Sequence, residues 1–205
     1  MPARISTRLL GIDRSGPPPP ATRAGQPLNP WTLPNAIGFA RLAAIPVFLV
    51  IAFSSRDGTD ALAVVMFAAI GWADYLDGFT ARLTGQYSRL GALLDPIVDR
   101  LLVISGMAVA WRFSLLPRWA IAVVIARELF MLALSRYGLR RGIELKINWP
   151  GRLGVAPTMG APFFAMAGLH VLALVSLYLG MTMALWATVL YVRRGIADAR
   201  QAGRS

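Results

Sequence analysis

The chain contains no cysteine, one histidine (His170) and one lysine (Lys146) among its 205 residues. The absence of cysteine excludes a disulfide framework, a thiolate metal site and a cysteine nucleophile. A lone histidine leaves zinc without its usual nitrogen and sulfur ligands. Acidic residues are scarce, ten against 21 basic ones, for a net charge of +11. Four of those ten fall in one stretch, DYLDGFTARLTGQYSRLGALLDPIVD, from Asp74 to Asp99.

What the chain has in quantity is apolar sequence: 56% of residues are hydrophobic and the mean hydropathy is +0.56. The apolar residues come in long blocks, which marks an all-α integral membrane protein. A spanning helix needs about 20 largely apolar residues. Six segments qualify, roughly 36–54, 60–82, 89–112, 117–138, 152–169 and 171–192. Pro157 and Pro162 are expected to kink the fifth. Six transmembrane helices place both termini on one side. On that plan fifteen basic residues fall on the terminal side, three on the other, and Arg41, Arg100 and Arg127 within spans. The asymmetry predicts that both termini are cytoplasmic.

Topology thus accounts for the basic excess, and no nucleic-acid partner is expected. The preference for arginine over lysine fits a genomic base-composition bias, and a multi-pass location in a bacterial cell membrane is expected. Residues 1–30, with Pro17 to Pro20 and several arginines, read as a disordered cytoplasmic tail rather than a secretory signal. The helical domain is expected over 31–195, followed by a short basic tail over 196–205.

Carboxylates are costly here, at about 3 kcal/mol for an aspartate near the bilayer centre. The second span is apolar from Ala61 to Ala73 and polar from Asp74; the third is polar from Ser88 to Arg100 and apolar afterwards. Antiparallel neighbours therefore bring their polar halves to one end, the cytoplasmic one. Asp74 and Asp77 are three residues apart and Asp95 and Asp99 four, so each pair shares a helix face. Positions 77 and 95 have their midpoint at 86, and 74 and 99 at 86.5. A turn near Gly85–Gln86 would set Asp77 level with Asp95, and Asp74 level with Asp99. Four such carboxylates suit two hard divalent cations, Mg²⁺ or Mn²⁺. Gly78, Ala81 and Gly91 are small enough for a ligand to approach the backbone, and Arg82 is placed to fork onto phosphate oxygens.

Asp74, Asp77, Gly78, Ala81, Arg82, Gly91, Asp95 and Asp99 match D-x2-D-G-x2-A-R-x8-G-x3-D-x3-D at every fixed position and gap. This resembles the signature of the CDP-alcohol phosphatidyltransferase family. The resemblance implies a reaction in which the phosphatidyl group of CDP-diacylglycerol passes to an alcohol and CMP is released. It implies two metals shared by Asp74, Asp77, Asp95 and Asp99, with Gly78, Ala81, Arg82 and Gly91 on the CDP-diacylglycerol side and Asp99 as general base. It also implies a homodimer. A transporter would place its carboxylates nearer the midplane and show internal repeats. A non-catalytic scaffold would not need the complete motif.

LPNAIGFARL (33–42), DPIVDR (95–100), ARELFMLAL (126–134) and NWPGRLG (148–154) resemble segments of phosphatidylglycerophosphate synthases and eukaryotic-type cardiolipin synthases. Glycerol-3-phosphate is therefore the first expected acceptor, bound by Arg127, Arg136, Lys146 and Arg152. Phosphatidylglycerol is the alternative, because Gly154 stands where the resemblance calls for a second lysine. Arg127 and Glu128 lie within a span, as does Arg41, and are expected to face the bundle interior.

Overall fold

The computed structural model describes residues 19–22, 26–140 and 149–202, with side chains at 135–152 and beyond 193 outside that description. A short 3-10 turn, Pro20–Thr22, precedes helices α1 (Leu33–Ser54), α2 (Ala61–Thr84), α3 (Arg89–Arg112), α4 (Arg118–Arg140), α5 (Trp149–Met166) and α6 (His170–Ala202). Each helix covers one expected segment, because long apolar blocks in this chain end at polar or glycine-bearing turns. Two boundaries differ. α6 continues to Ala202 through most of the stretch expected to be a basic tail. At the other end, part of the stretch expected to be disordered over 1–30 is structured. The Leu90 amide donates to the Leu28 carbonyl at 3.2 Å, and Asn35 Nδ2 donates to the carbonyls of Asn29 and Pro30 at 2.9 and 3.1 Å. The remainder of 1–30 lies outside the described residues.

Prolines sit inside three helices: Pro46 in α1, Pro96 in α3, and Pro157 and Pro162 in α5. Each removes one i→i−4 hydrogen bond, a loss that membrane helices tolerate when neighbours satisfy the freed carbonyls. Among the described residues, three helices are long and apolar enough to cross a membrane: Leu33–Ser54, Ala61–Thr84 and the His170–Arg193 part of α6. Within α5, Leu153–Met166 is a shorter apolar helix. α3 and α4 carry charge in their middles, Asp95, Asp99 and Arg100 in one and Arg127 and Glu128 in the other. The faces of the long apolar helices are themselves apolar and exposed, with Val50, Val65, Trp72 and Val171 more than half accessible. Such faces need an apolar solvent, as a bilayer provides.

The helices group into two compact units, Met1–Ile51 with Val65–Leu102, and Ala52–Val64 with Val103–Ser205. The first packs Ile45, Phe48, Phe67, Ile70, Val98 and Leu102 in its interior, with the Phe48 and Phe67 rings 5.5 Å apart. The second is built on Val103, Met107, Ile121, Val124, Ala161, Ala165 and Leu177.

In the second unit α5 and α6 pack backbone to backbone. A Cβ built on Gly180 would lie 2.7 Å from Thr158 Oγ1 and 2.8 and 2.9 Å from the Thr158 amide nitrogen and Cα. Close approach through small residues is how membrane helices gain packing energy without a hydrophobic drive. Gly180→Ala is therefore expected to destabilise the protein by about 1–3 kcal/mol through overpacking, read as a lower thermal midpoint in detergent; an unchanged midpoint would show that this crossing is looser than its distances.

Candidate active site

The α2–α3 hairpin in the first unit positions every residue of the signature. α2 ends at Thr84, and Gly85 adopts φ +66°, a left-handed conformation that glycine takes without penalty. The chain turns through Gly85–Ser88, where the sequence places it, and α3 begins at Arg89. The turn is tied to the start of α1: the Leu33 amide donates to Gln86 Oε1 at 3.1 Å.

Asp74, Asp77 and Asp99 converge on the guanidinium of Arg41, which α1 supplies. Arg41 Nη1 donates to Asp74 Oδ1 and Asp77 Oδ2, both at 3.0 Å, and Nη2 donates to Asp99 Oδ1 at 2.6 Å. Nε donates to the Ile70 carbonyl at 3.1 Å. Four donors are thus engaged on a side chain that is 2% exposed. Asp74, Asp77 and Asp99 meet on the same guanidinium, and Asp77 and Asp95 line the same cleft, so the hairpin gathers its four aspartates at one end. Asp95 is not among the partners of Arg41. As they stand, no three acidic or histidine side chains among the described residues form a ready ion cage. The donor set nevertheless fits hard cations: it is all oxygen, and three carboxylates already direct an oxygen at one positive group. Asp77 is buried, whereas the Asp74 and Asp99 side chains are 43% and 30% exposed, so the cluster runs from the interior to an open side.

Beside it lies a cleft of about 170 Å³, walled by Asp77, Gly78, Ala81, Arg82, Gly91 and Asp95, with Thr22, Asn35 and Ser88 among its other lining residues. Every signature residue expected on the CDP-diacylglycerol side lines it. Arg82 folds back along α2, its Nη1 3.3 Å from where a Cβ on Gly78 would stand, so the bare Gly78 backbone leaves room for the guanidinium. Asn35 organises the far wall. Its Oδ1 accepts from Ser88 Oγ at 2.8 Å, and Ser88 Oγ accepts from the Gly91 amide at 2.9 Å. A Cβ on Gly91 would lie 2.7 Å from Asn35 Oδ1. Sequence reasoning assigned Gly91 to the ligand; the structure adds that Gly91 makes room for Asn35.

Arg41, Asn35 and Ser88 were not among the expected site residues. Arg41 and Asn35 lie inside LPNAIGFARL, and a buried arginine in an otherwise uncharged span was the available signal. Of the expected acceptor residues, Arg127 lies in the second unit. Its Nε donates to Thr188 Oγ1 at 3.2 Å and its Nη1 pairs with buried Glu128. Arg136 lies on α4 and Arg152 on α5, but their side chains, like all of Lys146, lie outside the described residues.

The family model described as CDP-alcohol phosphatidyltransferase matches residues 31–192. A Streptomyces coelicolor protein named cardiolipin synthase (CMP-forming) is 34% identical over 180 residues, covering 84% of this chain and 83% of that one. A Bacillus subtilis protein named CDP-diacylglycerol–glycerol-3-phosphate 3-phosphatidyltransferase is 30% identical over 135 residues, covering 60% of this chain and 70% of its own. A Cereibacter sphaeroides protein of the same name is 32% identical over 122 residues, covering 58% of this chain and 55% of its own. With the signature intact and the family model matching residues 31–192, the chain belongs to the CDP-alcohol phosphatidyltransferase family.

Proposed function

We propose that this chain transfers the phosphatidyl group of CDP-diacylglycerol to the hydroxyl of a glycerol-based alcohol and releases CMP. The observation that carries this reading is the convergence of Asp74, Asp77 and Asp99 on one cationic group beside the cleft lined by Gly78, Ala81, Arg82 and Gly91. Family members generally depend on divalent metals. Asp74, Asp77, Asp95 and Asp99 would hold two Mg²⁺ or Mn²⁺ ions, which when bound neutralise charge on the diphosphate and on the departing CMP.

The chain's own residues do the rest. Arg82 forks onto phosphate oxygens at the rim of the cleft. Gly78 and Ala81 let the nucleotide approach α2 closely. Asp99, whose Oδ1 accepts from Arg41, takes the proton of the acceptor hydroxyl as the hydroxyl oxygen attacks the β-phosphorus. The new phosphorus–oxygen bond forms as the bond to CMP breaks, and CMP departs with the negative charge. Acyl chains remain in the bilayer while cytidine and the acceptor headgroup arrive from water. This division suits six spanning helices with cytoplasmic termini, as the charge asymmetry implies, in a bacterial cell membrane. A homodimer is expected from the family resemblance.

The acceptor is glycerol-3-phosphate in the first reading, giving phosphatidylglycerophosphate, with Arg127, Arg136, Lys146 and Arg152 as the cations for its phosphate. A second reading, with phosphatidylglycerol as acceptor and cardiolipin as product, is favoured by one observation. Arg127 is already engaged by Glu128 and Thr188, so it is not a spare cation for a phosphate dianion. An acceptor without a terminal phosphate asks less of it.

Purified protein in detergent is expected to release CMP from CDP-diacylglycerol only when both Mg²⁺ or Mn²⁺ and the acceptor are present. Mass analysis of the lipid product separates the two acceptors, and no release with either would overturn the proposal. Asp99→Asn is expected to lower turnover by roughly 10²–10⁴-fold while CMP binding persists; full turnover would remove Asp99 from the role of base. Gly91→Ala, by pushing Asn35 out of the cleft wall, is expected to weaken CMP binding about tenfold, or ~1.4 kcal/mol. Unchanged calorimetric affinity would place the nucleotide elsewhere.

A further inference from the structure

Arg41 is a cation on the inner side of a site that is to receive cations. It lies on α1, outside the signature. Its side chain is 2% exposed, and it reaches one oxygen on each of three carboxylates borne by α2 and α3. The bond from Nε to the Ile70 carbonyl anchors the guanidinium independently of the carboxylates. A carbonyl has two lone pairs, so this contact does not require the helix to give up its own hydrogen bond.

Two consequences follow from chemistry. First, holding one oxygen of a carboxylate fixes the direction of the other. Arg41 takes Asp74 Oδ1, Asp77 Oδ2 and Asp99 Oδ1. Arg41 leaves the second oxygen of each, and both oxygens of Asp95, unbound by its own guanidinium, and these are the oxygens it presents to metal. Secondly, a guanidinium stays charged in every protein environment. Four carboxylates without Arg41 would leave four negative charges together, in part buried; with it, three remain to be met by metal.

The geometry points to Arg41 as a resident counter-cation and positioning residue, which keeps the carboxylate cluster assembled before metal binds and aims the remaining oxygens at the ions. This rests on the reading that the four aspartates hold divalent metal. It makes a distinction that a purely structural ion pair does not: the stability lost on removing Arg41 depends on whether metal is present. Without metal, Arg41 is the cation bonded to three of the carboxylates; with metal, the ions do much of that work.

The test is the thermal midpoint of the full chain in detergent, followed by tryptophan fluorescence in EDTA and in saturating Mn²⁺. Wild type is expected to remain folded in EDTA and to gain stability with Mn²⁺. Arg41→Met is expected to lose roughly 10 °C in EDTA and less than half of that in Mn²⁺. Arg41→Lys keeps the charge without the fork and is expected to fall between the two in EDTA. Equal losses with and without Mn²⁺, or no loss in EDTA, would overturn the role given to Arg41. Should Arg41→Met fold in neither condition, Arg41→Lys decides: a loss that shrinks with Mn²⁺ supports the inference, and one that does not shrink contradicts it. A wild-type midpoint indifferent to Mn²⁺ and Mg²⁺ would instead refute the metal reading beneath it.

Discussion

Three helices of the first unit meet on one guanidinium. Arg41 from α1 binds Asp74 and Asp77 from α2 and Asp99 from α3, and the rest of the site is arranged around that junction. The constraint is electrostatic. Carboxylates in a low-dielectric interior either find positive charge or give up their own. Once they are gathered, the α2–α3 turn must be short, the Gly78 face of α2 must stay bare for Arg82, and α3 must approach closely enough for Gly91 to pass beside Asn35. The chemistry proposed for the cluster draws on the same imbalance, because one arginine leaves most of the negative charge to be met by metal.

Much of this was legible in the sequence. Helix positions follow from block hydropathy, and the six helices of the described residues overlap the six expected segments, three of them long and apolar enough to span a membrane. The hairpin was legible from symmetry: apolar then polar in one helix, polar then apolar in the next, with aspartates equidistant from Gly85–Gln86. Spacing of this kind survives folding because both helices have the same rise per residue.

The partners were less legible. Arg41 carries a charge that pattern reading assigns to a generic bundle interior, since nothing in the order of residues along α1 says which carboxylates on other helices it meets. Asn35 and Ser88 are 53 residues apart and become neighbours only through the packing of α1 against the turn. The stretch from Gln26 to Pro30 has the composition of a tail, yet its backbone carbonyls serve Asn35, Arg89 and Leu90, contacts no composition reports. Arg127 shows the converse: its charge suggested an acceptor phosphate, but Glu128 and Thr188 already engage it.

The central claim is that the four aspartates bind two divalent ions. Counting Mn²⁺ bound per chain by electron paramagnetic resonance tests it without any turnover. Two ions are expected for the wild type, with loss of at least one when Asp95 and Asp99 are both replaced by asparagine. Failure to bind Mn²⁺, or binding indifferent to those replacements, would contradict it.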